Sequence, residues 1–67
     1  MSEHEAVKWL LENTIYFRSP SYVGEQAGKK IYRVHACIRR ELDGCQMALW
    51  DNYFFRVDNK NDWKIIV

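Results

Sequence analysis

The stretch Lys29-Lys30-Ile31-Tyr32-Arg33-Val34-His35-Ala36-Cys37-Ile38-Arg39-Arg40-Glu41-Leu42 decides how the rest of the chain is read. On a wheel of about 100° per residue, Ile31, Val34, Cys37, Ile38 and Leu42 gather on one arc. Tyr32, Arg33, Ala36, Arg39 and Arg40 gather opposite them. The spacing predicts an amphipathic helix with a buried aliphatic stripe and a basic, aromatic outer face, ended by Asp43-Gly44.

Upstream, Ser19 suits an N-cap, Pro20 the first helical position and Gly28 a C-cap, which predicts a short helix over 20–27. Further back, Ser2 and Glu5 form a capping-box pattern, and Ala6, Val7, Leu10 and Leu11 make the apolar arc of a first helix over 3–13. Trp9 lies at the edge of that arc. Thr14 to Phe17 are β-branched or aromatic and read as a short strand. Downstream, Met47–Trp50, Tyr53–Val57 and Trp63–Val67 are strand-like runs, of which Met47–Trp50 is open to three readings: a third strand, a helical turn or an irregular crossover. Asp51-Asn52 separates the first two as a turn and the polar loop 58–62 the last two. Alternation sets Tyr53, Phe55 and Val57 against Trp63, Ile65 and Val67.

The 67 residues allow one domain over 1–67, and a hydrophobic content of 48% with three glycines and one proline is that of a folded chain. The net charge of +1 conceals an uneven distribution. Between Gly28 and Arg40 lie Lys29, Lys30, Arg33, Arg39 and Arg40 with no acidic residue, so the nine Asp and Glu all fall elsewhere. A basic element on an acidic body favours docking onto phosphates.

The order helix, strand, helix, turn, helix, hairpin, together with Val23-Gly24-Glu25-Gln26-Ala27-Gly28 and Lys30-Ile31-Tyr32-Arg33-Val34 followed by Ile38, resembles the winged helix-turn-helix superfamily. An α+β fold is implied, a three-helix bundle with a small antiparallel sheet and a C-terminal hairpin wing. Gly24 stands where Ala is usual. The resemblance implies that the third helix enters the major groove of double-stranded DNA while the wing touches the backbone. On that reading Lys29, Lys30, Tyr32, Arg33, Ala36, Arg39 and Arg40, with Arg56 and Lys64 of the wing, are the DNA-binding residues. Arg33 and Arg40 are candidates for guanine edges and Ala36 permits close approach. A narrower resemblance, carried by Trp63-Lys64-Ile65-Ile66-Val67, Lys29-Lys30 and Arg33-Val34, is to the Z-DNA-binding winged-helix domains. That family's third-helix asparagine and tyrosine and its wing prolines have no counterparts here.

The expected function is a small DNA-binding regulator of transcription or recombination, of phage or viral type. Trp9, Trp50 and Phe54 are candidates for a homodimer surface. The competing expectation is a winged-helix module that docks on a protein; it rests on the wing, where Asp58 and Asp62 offset Arg56, Lys60 and Lys64. No cofactor or metal is expected: His35, Cys37 and Cys45 lack a fourth ligand in reach and any Cys-x2-Cys knuckle. The two cysteines read as free thiols. No catalytic constellation is present, so an enzyme is not expected. No segment has the length and apolarity to span a bilayer, and the N-terminal residues lack a secretory pattern. These readings place the protein in the cytoplasm, or in the nucleus of a eukaryote.

Overall fold

The decisive stretch is extended. In the computed structural model, which describes residues 1–66, helix α1 (Glu3–Asn13) is followed by strands β1 (Tyr16–Phe17), β2 (Ser21–Gln26), β3 (Lys29–Leu42), β4 (Cys45–Val57) and β5 (Trp63–Ile66). The strands make one antiparallel sheet in the order β1-β3-β4-β5, with β2 lying beside β3 on the same side as β1.

The winged-helix expectation is therefore overturned, together with its helix-turn-helix, its recognition helix and the narrower Z-DNA likeness. The residues expected to form the second and third helices are β2 and β3. Two turns explain the difference. Ala27 and Gly28 have φ of 53° and 75°, and Asp43 and Gly44 have φ of 51° and 79°. Positive φ at both central residues is the type I′ turn, whose twist suits a two-residue hairpin. Gly28 and Gly44 thus reverse strands where they were expected to cap helices. Between these turns Ile31, Tyr32, Val34 and Ile38 supply β-branched and aromatic side chains, and β3 pairs with β4 continuously from Lys30↔Val57 to Leu42↔Cys45. Asp51-Asn52 is correspondingly not a turn; it lies within the continuous β4.

Other readings agree with the structure. The Ser2 hydroxyl accepts from the Glu5 amide at 3.1 Å and the Glu5 carboxylate accepts from the Ser2 amide at 3.0 Å, completing the capping box of α1. The C-terminal hairpin pairs Phe55 with Ile65 and Val57 with Trp63. The expected partnership of Val67 lies outside the described residues.

Helix α1 covers one face of the sheet. Ala6 and Leu10 pack on Val34, Phe55, Val57 and Trp63, and the Phe55 and Trp63 rings meet edge to face at 5.7 Å. Trp9 extends this core, meeting Tyr53 edge to face at 5.3 Å. Leu11, expected in the apolar arc, is 67% exposed. Beyond Ile38 and Leu49 the β3–β4 hairpin has no third strand among the described residues and projects as a two-stranded ribbon, giving the molecule extents of 42 × 21 × 17 Å.

Candidate functional site

Strand alternation sorts the charged residues between the two faces. The face under α1 takes Tyr32, Val34, Ala36, Ile38 and Arg40 from β3, opposite Phe55, Tyr53, Asp51, Leu49 and Met47 of β4. The other face is not covered by the helix. It takes Arg33, His35, Cys37 and Arg39 from β3, opposite Phe54, Asn52, Trp50 and Ala48. Lys29, Arg56 and Lys64 follow the same parity, and Arg18 joins them, its backbone N–H donating a hydrogen bond to the His35 carbonyl at 2.9 Å. Among the described strand residues, Glu41 near the ribbon tip is the only carboxylate with that parity. An almost neutral chain thus has one strongly basic sheet face.

An aromatic cluster occupies the middle of that face. The imidazole of His35 stacks on the indole of Trp50, with centroids 4.7 Å apart and planes 9° from parallel. Tyr16 meets the indole edge to face at 5.8 Å. His35 Nδ1 lies 3.0 Å from Asn52 Oδ1 across the strand pair, which fixes the plane of the ring. The Arg18 guanidinium sits 5.8 Å from the Trp50 ring centroid, within cation–π range. Trp50 nonetheless stays 46% exposed and Tyr16 59%. Beside the stack, Arg18, Arg33, His35 and Asn52 line a shallow depression of about 450 Å³. Phe54, also exposed, follows Trp50 on the same face, about 14 Å further along β4 at the usual rise per residue.

Of the residues expected to contact DNA, Lys29, Arg33, Arg39, Arg56 and Lys64 therefore share the open face. Lys30, Tyr32, Ala36 and Arg40 do not. Ala36, expected to permit close approach of a ligand, is fully buried. Tyr32 packs on Trp63 at 4.9 Å and against Tyr22 at 5.7 Å. Arg40 pairs with Asp51 at 3.4 Å on the helix side of the sheet. Lys30 lines a separate hollow with Glu25 and Asp58. The helical reading missed His35, Tyr16, Arg18 and Asn52. It assigned Trp50 and Phe54 to dimerisation and Trp9 to the same surface, where the structure half-buries Trp9. Period-two alternation through 31–39 is the signal that brings the open-face residues together.

No group of three or more potential ligands capable of holding a metal exists among the described residues, and no described helix is long and apolar enough to cross a membrane. No protein-family model, curated protein or solved structure matches this chain.

Proposed function

We propose that the open sheet face binds single-stranded nucleic acid. Bases stack on the His35–Trp50 column and on Phe54, while Arg18, Arg33 and Arg39 receive the phosphates. The observation that carries this reading is a half-exposed tryptophan, stacked and held in place, at the centre of a face with several cations and almost no carboxylates. A flat sheet with aromatic platforms suits unstacked bases, because every base offers a π-face and the backbone follows the charge. Arg18 has the reach to exchange the Trp50 ring for a phosphate as a base arrives. His35 and Asn52 present hydrogen-bonding edges beside the stack.

Insertion of the projecting ribbon into a duplex groove is the less favoured mode. Glu41 and Asp43 lie at its tip, and Arg40 is already paired with Asp51. The test is fluorescence anisotropy with labelled oligothymidine, oligouridine and a mixed-sequence duplex, each titrated at several salt concentrations. Both single strands are expected to bind more tightly than the duplex, with affinity falling as salt rises by about 0.7 log units per log unit for each phosphate engaged. Salt-insensitive binding, or a preference for duplex, refutes the proposal. Absence of binding to all three leaves an acidic protein as the partner of the face. The difference between the thymidine and uridine strands reports whether a 2′-hydroxyl is read.

A further inference from the structure

A different part of the molecule points to a partner of its own. Among the described residues, β4 has no neighbour on its outer edge from Cys45 to Asn52, because β5 pairs only with Phe54 to Val57. Sheet edges in folded proteins are blunted by charge, proline or bulges. The other edges here follow that rule: Arg39, Arg40 and Glu41 charge the ribbon side of β3, Pro20 separates β1 from β2, a register shift falls between Tyr22 and Gly24, and β5 carries Lys64. By contrast, Cys45-Gln46-Met47-Ala48-Leu49-Trp50 has no charge, no proline and no glycine.

The backbone parity of that edge follows from the hairpin. A two-residue turn makes Leu42 and Cys45 the closing hydrogen-bonded pair, so Cys45, Met47 and Leu49 direct their peptide groups toward β3. Gln46, Ala48, Trp50 and Asn52 direct theirs outward. The Asn52 N–H is already engaged, donating to Asp51 Oδ1 at 2.8 Å, so the edge has no free donor at that point. The open template is therefore Gln46 to Trp50, centred on Ala48.

We infer that this segment pairs with the same segment of a second copy of the chain, antiparallel about a two-fold axis through Ala48. The register is self-complementary. Gln46 faces the second copy's Trp50, Met47 faces its Leu49, and the two Ala48 residues face each other. Peptide groups that point outward meet only others that do, giving about six inter-chain hydrogen bonds. Charge does not oppose the pairing: Asp51, the one charged residue in the register, meets Cys45, so no like charges face each other. On the helix side, Met47, 49% exposed in the single chain, gains Leu49 of the second copy as a cross-strand neighbour. A two-stranded ribbon is marginal alone and gains further strands by this pairing. The two open faces then form one continuous surface on the same side, although the pairing does not depend on what that surface binds.

Sedimentation equilibrium tests the inference at up to about 100 μM chain, a range that captures even weak complexes. The expected mass is twice the 8.1 kDa of one chain. Ala48→Lys sets two ammonium groups against each other at the axis and is expected to weaken the dimer about tenfold or more; because it also stands opposite Arg39 in its own chain, circular dichroism and the thermal midpoint verify that the variant is folded. Lys30→Ala, opposite Val57 at the far end of the strand pair, leaves the mass unchanged. A cysteine cross-link fixes the register. In a background with Cys37→Ser and Cys45→Ser, Ala48→Cys is expected to oxidise to a covalent dimer, since hydrogen-bonded antiparallel partners have Cα atoms about 5.5 Å apart, within disulfide range. Leu42→Cys in the same background stays monomeric under the same oxidation. A monomeric wild type at the highest concentration, a folded Ala48→Lys dimer, or a cross-link at position 42 and not at 48 overturns the inference.

Discussion

Replacing Trp50 by alanine separates the stacking reading from a purely electrostatic one. The indole makes two aromatic contacts, with His35 at 4.7 Å and Tyr16 at 5.8 Å, and leaves nearly half its surface to solvent. A base stacked on an aromatic side chain contributes about 1–3 kcal/mol. Trp50→Ala is therefore expected to weaken oligothymidine binding between about fivefold and 150-fold, measured by anisotropy, since about 1.4 kcal/mol is tenfold in affinity. The salt dependence should stay parallel to wild type, because no cation is removed. The substitution also carries a folding cost. Loss of the His35 and Tyr16 contacts and of an aromatic strand residue amounts to about 1–2 kcal/mol, or a fall in Tm of roughly 5–15 °C for a domain of this size. Affinity is accordingly compared well below the variant's own Tm, and Trp50→Phe, which keeps a platform, is expected to recover most of the loss. A change in affinity of less than about twofold in the folded alanine variant, against the 1–3 kcal/mol of a stacked base, refutes the stacking role. So does a phenylalanine variant no better than alanine.

Arg33→Ala should weaken single-strand binding and lower the slope of log affinity against log salt by about 0.7, the converse of the tryptophan result; an unchanged slope shows that Arg33 engages no phosphate. Leu10→Ala removes a side chain with no exposed surface between Val34, Phe55 and Trp63, and is expected to cost about 2–5 kcal/mol in urea denaturation. Gly44→Ala meets no atom within 4 Å, yet φ is 79° there, so a loss of about 1 kcal/mol is expected in the same assay, the backbone strain less the entropy that alanine removes from the unfolded chain. The Asp58 carboxylate accepts from the Asp62 and Lys60 amides at 3.0 and 2.9 Å; these bonds hold it below its ordinary value near 3.8, against a smaller opposing effect of desolvation. A lowered carboxyl contributes stability that is present above its unfolded pKa and is lost as pH falls through the folded one. Denaturation midpoints should therefore drop below about pH 4, and Asp58→Asn should flatten that part of the profile relative to wild type.

The helix, the C-terminal hairpin and the short strand at Tyr16 were legible because each carries a signal that only one period explains. The Ser2–Glu5 box belongs to helices, and the aromatic alternation of Tyr53, Phe55 and Val57 belongs to strands. The region 29–42 carries no such exclusive signal. Val34 and Ile38 are four residues apart, a spacing that puts them on one side of a helix and equally on one side of a strand. Ile31 and Cys37 break the tie, and they lie near the helical stripe while falling on the opposite strand face. What outweighed the helical spacing was the turn chemistry. Asp43-Gly44 between alternating apolar residues is a strong hairpin signal, and its reading as a helix end removed β3 from the sheet.

The candidate site followed the same misassignment, with one part surviving. The concentration of cations between Gly28 and Arg40 is a property of the sequence in any fold, but the surface it produces depends on the period. A helix would have joined Tyr32, Arg33, Ala36, Arg39 and Arg40 on one side and left His35 at the margin. The strand divides that set, burying Ala36 and turning Tyr32 and Arg40 toward the helix side. Arg33 and Arg39 are left facing solvent beside His35. The partners that complete the cluster, Trp50 and Asn52 from β4 with Tyr16 and Arg18 from the other edge, come from sequence positions that no local pattern links to β3. Only the pairing register joins them: Cys37 stands between Tyr16 and Trp50, and His35 lies opposite Asn52. Charge was therefore readable along the chain, whereas the aromatic half of the site exists only through pairing between strands distant in sequence. It is the coincidence of the two on one uncovered face that favours a ligand with both phosphates and exposed bases.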